Sequence, residues 1–181
     1  MNPLEKYEYV SEAFKPFSAA HELSFTARLA RENHWSHDYC EAIIEEYLKF
    51  CVLSLYVDHP VTPSDEVDQV WHLHLQYTEH YIEVFCKELL GKTFYHGPTK
   101  GGGGERVKFH EQYSKTQRSY EEHFGEINPA YWPDAEVRFG RSIYYQRVNI
   151  LENLVISKKR ATWLLAYISA LVAVLLVKSF Y

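Results

Sequence analysis

The sequence predicts an all-α protein, a compact bundle of about five helices followed by a C-terminal transmembrane helix. Three observations carry this. Apolar residues recur at the three- and four-residue spacing of a helix in several separate stretches. Capping signals precede these stretches or breakers follow them. The last stretch, Ala161 to Val177, has no charged residue and is rich in Leu, Val and Ala.

Asn2-Pro3-Leu4-Glu5 opens the first helix, with Asn as N-cap, Pro at the first position and Glu at the third. Pro16 is expected to end it near Phe14, because proline has no amide donor and restricts the residue before it. Ser24 to Asn33 reads as a second helix, with Phe25, Leu29 and Ala30 on one side. Ser36 caps a third, from His37 to Val57. Its stripes Tyr39, Ile43, Tyr47, Phe50, Ser54 and Ile44, Leu48, Cys51, Leu55 adjoin. A helix apolar over so wide an arc belongs at the centre of the core.

Asp58-His59-Pro60-Val61 breaks the pattern. Thr62-Pro63-Ser64-Asp65 repeats the start signal with Thr62 as N-cap, and a fourth helix is expected to run to Leu90 with Gly91 just past its end. Lys92 to Gly104 reads as a loop. A fifth helix spans Glu105 to Phe124, with Phe109, Tyr113, Thr116 and Tyr120 on one face and Gly125 as terminator. Glu126 to Pro133 is an extended aromatic loop expected to pack over the bundle, since Tyr131 and Trp132 are costly to leave in water. Gly140 weakens any helix over 134–150, and from Tyr144 a helix is expected to continue through Val155 into the apolar span. The resulting organisation is a helical domain over 1–133, a linker and juxtamembrane helix over 134–160, and a membrane anchor over 161–178.

Ala161 to Val177 extends roughly 25 Å as a helix, the short end for crossing a bilayer. Lys158-Lys159-Arg160 precede it and only Lys178 follows. The positive-inside rule then places the N-terminal domain in the cytoplasm. Trp163, Tyr167, Phe180 and Tyr181 suit the interfacial belts. Among 181 residues, 24 acids against 19 Lys and Arg give a net charge of −5, which offers no general attraction for nucleic acid. Cys40, Cys51 and Cys86 have no CxxC spacing, so neither a disulfide framework nor a cysteine zinc site is expected.

The chemistry concentrates on Val61 to Tyr81. At about 100° per residue, Val67, Val70, Trp71, His74, Tyr77, Thr78, Tyr81 and Phe85 share one side of the fourth helix, and Asp65, Asp68, His72, Gln76 and Glu79 another. His72 and His74, two residues apart, point in nearly opposite directions and cannot bind one ion from a regular helix. Asp68 and His72, four apart, share a face, the geometry of a carboxylate orienting an imidazole or of two metal ligands. Asp68, His72 and His96 are therefore the candidate catalytic residues. Asp68, His72, His74 and His96 are the candidate ligands for a divalent metal. His74 is weighed against a core histidine bonded to a backbone carbonyl or a tyrosine, and His80 is expected at the surface. Thr99, Lys100, Gly101 and Gly102 form a candidate anion or nucleotide site, because backbone amides of a Gly-rich turn before a helix can receive an anion. Gly91-Lys92-Thr93 is not the end of a P-loop, since the required upstream glycine falls on Cys86. No Ser/His/Asp or Cys/His triad assembles by spacing.

Leu29 to Ser36, Val61 to Thr78, His96 to Gly102, and Tyr113, Thr116, Tyr120, Phe124-Gly125, Asn128-Pro129 and Trp132-Pro133 come in that order. This pattern, above all Asp68-x-x-Trp71-His72-x-His74, resembles the bacterial branch of the glycine-rich domain-containing protein-like family over roughly residues 20–135. Tyr95 stands where that family has the first histidine of His-His-Gly-Pro-Thr. The resemblance implies that these segments form one domain of a membrane-associated protein, and it carries over no catalytic residue. Three readings follow from the residues: a membrane-tethered interaction or scaffold module with a protein partner, a metal or His/Asp enzyme site at Asp68, His72 and His96, and an anion or nucleotide binder at Gly101 to Gly104.

Overall fold

Hydrogen bonds to short polar side chains start the helices. In the computed structural model, which describes residues 1–18, 24–97, 103–140, 148 and 152–179, the Asn2 and Glu5 side chains cap each other's backbone amides at 2.9 Å each. Helix α1 (Pro3–Ser18) follows. It continues through Pro16 rather than stopping at Phe14. The proline lies in the last turn, so a single interior hydrogen bond is lost. Ser24 caps α2 (Phe25–Asn33), which ends on His34 in the left-handed region at φ 56°. Ser36 caps α3 (His37–Leu53), and Ser54 ends it four residues short of the expected terminus at Val57.

Helix α3 is the axis of the domain, packed against α1 and α2 and against two helices further along the chain. Cys40, Ile43, Tyr47, Phe50, Cys51, Val52 and Leu53 are fully buried. Each large apolar side chain sealed this way contributes about 1.5–3 kcal/mol.

The fourth expected helix is two. Ser64, not Thr62, is the N-cap of α4 (Asp65–Gln76), its hydroxyl accepting from Val67 N at 3.2 Å. Thr62 instead donates its backbone amide to Thr116 Oγ1 at 3.0 Å, holding the α3–α4 connection against a later helix. Tyr77, at φ −91° and ψ 58°, ends α4. The chain resumes as the π-helical α5 (His80–Leu90), closed by Gly91 at φ 74°. Helix α6 (Gly103–Phe124) buries Tyr113, Thr116 and Tyr120, packs on α1 and α3, and ends at Gly125 at φ 86°. A short α7 (Ala135–Gly140) packs on α6. The compact unit accordingly runs Met1–Ser142 and takes in α7. No strand occurs among the described residues.

The aromatic loop before α7 packs over the bundle as expected. Trp132 is buried, and its Nε1–H donates to Glu46 Oε2 at 2.8 Å. Tyr120 Oη–H donates to the same oxygen at 2.5 Å, and Lys49 Nζ meets Oε1 at 3.0 Å. The buried acid on α3 thus joins α6 and the loop to the central helix. A buried carboxylate is tolerable only when it is paired and hydrogen-bonded in this way.

The second unit, Ile143–Tyr181, carries α8 (Lys158–Ser179). Lys158 to Val177 is long and apolar enough to cross a bilayer. Two of its hydroxyls bond within the helix, Thr162 Oγ1 donating to Lys158 O and Ser169 Oγ to Leu165 O at 2.9 Å each, as a lipid environment favours. Most of the helix expected from Tyr144 through Val155 falls outside the described residues, and its described end does not continue into α8. Residues 153–157 are not helical, and Ser157 caps a fresh start with its hydroxyl on Arg160 N at 3.3 Å. Phe180 and Tyr181 lie outside the described residues.

Candidate metal centre

The acidic first turns of α4 stand on one face: Asp65, Asp68 and His72 follow each other at helical spacing. Asp68 places Oδ2 3.7 Å from His72 Nε2. Its other oxygen, Oδ1, lies 3.0 Å from His96 Nε2. The two imidazole centroids are 4.6 Å apart. One potential ligand atom from each of the three side chains falls within 4.8 Å of the other two. The carboxylate sits between two imidazoles, with His72 the most exposed of the three and the other two mostly covered.

His96 arrives from 28 residues away, and packing accounts for its return. After Gly91 turns the chain, residues 93–97 run without helix across α4. The Phe94 ring stacks on Trp71 at 4.4 Å with 4° between planes. Tyr81 Oη accepts from Trp71 Nε1–H at 2.9 Å and donates to Phe94 O. His96 then rests edge-on against Trp71, centroids 4.6 Å apart. Trp71 is therefore both a core residue and the platform for a candidate ligand.

His74 does not join this cluster. It is fully buried, with Nδ1 2.8 Å from Tyr47 Oη and Nε2 2.8 Å from His80 Nδ1. Phe14, Phe17, Phe25 and Phe85 surround it. Burial, reinforced by the neighbouring His80, lowers its pKa to about 2, so the ring is neutral. His80 is half-buried, stacked on Phe17 at 3.6 Å, and its pKa is lowered by burial. Its expected surface position assumed an unbroken helix; the irregular turn at Tyr77 rotates it inward.

Thr99, Lys100, Gly101 and Gly102 lie outside the described residues. All three cysteines are buried, and burial pushes Cys40 up to about 11 and Cys51 well above its ordinary value, away from a reactive thiolate. Spacing gave no sign of the ion pair between Asp65 Oδ1 and Arg138 Nη1 at 2.7 Å, which ties α7 to the same face of α4. Burial raises the Asp65 pKa, with Arg138 opposing and Asp68 adding to the rise. Comparison of the chain with protein-family models, curated proteins and solved structures finds no match.

Proposed function

We propose that the helical domain holds a divalent transition metal through Asp68, His72 and His96, and that α8 tethers this metal-binding domain to a membrane. The supporting observation is the convergence of three ligand types, from two segments of chain, within 4.8 Å. Around a tetrahedral ion with bonds near 2.0 Å, ligand atoms are about 3.3 Å apart. The two imidazole nitrogens stand 3.7 and 3.0 Å from opposite oxygens of Asp68, so a small rotation of the carboxylate would present one oxygen to an ion shared with both rings. Two imidazoles and one carboxylate suit zinc or ferrous iron better than calcium or magnesium, which favour all-oxygen sites. Three protein ligands leave at least one position for water or substrate, and the exposure of His72 gives access to it. On this reading Asp68 and the imidazoles bind the ion as deprotonated groups, and the Trp71–Phe94 stack keeps one side of the site dry. The basic triplet before α8 favours a cytoplasmic domain. The resemblance to the glycine-rich domain-containing protein-like family agrees with a domain built around Asp68, Trp71 and His72.

The test is elemental analysis of the full chain purified in detergent without a histidine tag, before and after incubation with zinc or ferrous iron. Close to one equivalent is expected, falling to background in His96→Ala and in Asp68→Asn. Absence of stoichiometric metal under both conditions refutes the site and leaves the interaction module, with the Asp68–His96 contact as a structural strap.

A further inference from the structure

A second cluster lies apart from α4's acidic face, where the α3–α4 connection meets α6. Here Tyr56, His59, Lys115, Arg118, Ser119 and His123 help line an open groove of about 420 Å³. That volume is in the range that accepts a small organic molecule. Inside it, His59 Nε2 is 2.9 Å from Ser119 Oγ, and His59 Nδ1 is 3.0 Å from Pro60 O.

The proton positions follow from the partners. A carbonyl oxygen can only accept, so Nδ1 carries the hydrogen and donates to Pro60 O. In the neutral ring Nε2 then has a lone pair, and the Ser119 hydroxyl donates to it. This is the arrangement of an activated serine: a hydroxyl aimed at a base, and the base fixed in the required tautomer by a third group. Side chains four residues apart on a helix are neighbours, so Lys115 and His123 flank Ser119 on the surface of α6. Lys115 and Arg118 are exposed at this groove, and the carboxylates of Asp58 and Glu122 line it as well, so two acids balance the two cations. Sequence spacing could not reveal the pair, because its members are 60 residues apart and belong to no local motif.

We infer that Ser119 and His59 form an acyl-transfer site for small esters. Ser119 Oγ attacks the ester carbonyl carbon while His59 Nε2 takes the hydroxyl proton. The carbon–oxygen bond to the leaving alkoxide breaks, and His59 returns that proton to it as the alcohol departs. Water then attacks the acyl-serine with His59 as base, releasing the acid and restoring the hydroxyl.

The test exposes the full chain in detergent to a fluorophosphonate probe and maps the labelled residue by mass spectrometry. Labelling at Ser119 is expected, with a rate at least about 100-fold lower in His59→Ala. His59→Gln, whose amide can still reach Ser119 and Pro60 O, keeps the loop fastened but supplies no base; it should be as slow as His59→Ala while melting like the wild type. A wild-type chain that is unlabelled at Ser119, or that labels no faster than His59→Gln, overturns the inference and reduces the pair to a staple between the loop and α6.

Discussion

Acidification should destabilise this domain chiefly through one residue. His74 is fully buried among aromatic rings, and its folded pKa is about 2 against an ordinary value near 6.5. The folded state therefore excludes a proton that the unfolded chain accepts below pH 6.5. Stability rises with pH wherever the unfolded state binds more protons. The stabilisation from a neutral His74 is thus complete above pH 6.5 and is lost as pH falls toward 2. Each pH unit below 6.5 costs about 1.4 kcal/mol, so at pH 4.5 the loss is ~2.7 kcal/mol. That is a large fraction of the 5–15 kcal/mol typical of a domain. His80, also lowered by burial, acts in the same direction. The assay is urea unfolding of the full chain in detergent between pH 7.5 and 4.5, followed by tryptophan fluorescence, to which the buried Trp71 and Trp132 contribute. His74→Gln is the comparison, because it keeps polar groups near Tyr47 and His80 without titrating. It should be less stable at pH 7.5, yet lose ~2.7 kcal/mol less than the wild type over the pH range. Equal losses in the two proteins would show that His74 does not set the acid sensitivity.

Two further substitutions probe the frame. Glu46→Ala removes the common acceptor of Tyr120 Oη–H and Trp132 Nε1–H; with each orphaned donor worth about 1–3 kcal/mol, the expected cost is roughly 2–6 kcal/mol, read from the urea midpoint. Gly91→Ala places a β-carbon on a residue at φ 74° with nothing within 4 Å of it. The cost is then backbone strain alone, about 1–2 kcal/mol, with Gly91→Asn closer to neutral.

The helices were legible where periodicity and capping agree. Asn2 and Ser36 cap as their positions suggest, Ser24 caps the second helix rather than opening it, and Gly91 and Gly125 adopt positive φ at the ends they were assigned. The break at Tyr77 was not legible, because no glycine or proline marks it. That one irregular turn decides where His80 points. The opposed directions of His72 and His74 follow from helical phase alone, and the structure separates them accordingly. What phase cannot give is the return of His96, which depends on a ring stack and a tyrosine bridge between residues distant in sequence. Glu46 escaped notice for a similar reason. It lies on a stretch of α3 that looks like an ordinary mixed surface until Tyr120 and Trp132 arrive from 74 and 86 residues away. Arg138 and the His59–Ser119 pair are likewise products of tertiary folding.

The Tyr81 bridge between Trp71 and Phe94 has a consequence for how an ion would be captured. A ligand on a loose loop must be collected by the ion, and closing that loop weakens the affinity. Here the loop is already shut by stacked rings and two hydrogen bonds before any ion arrives. Folding, rather than binding, meets the entropic cost of closure. On the proposed reading the candidate ligands would thus be preorganised by hydrophobic chemistry, and metal uptake would be sensitive to Tyr81, a residue whose hydroxyl touches none of the three.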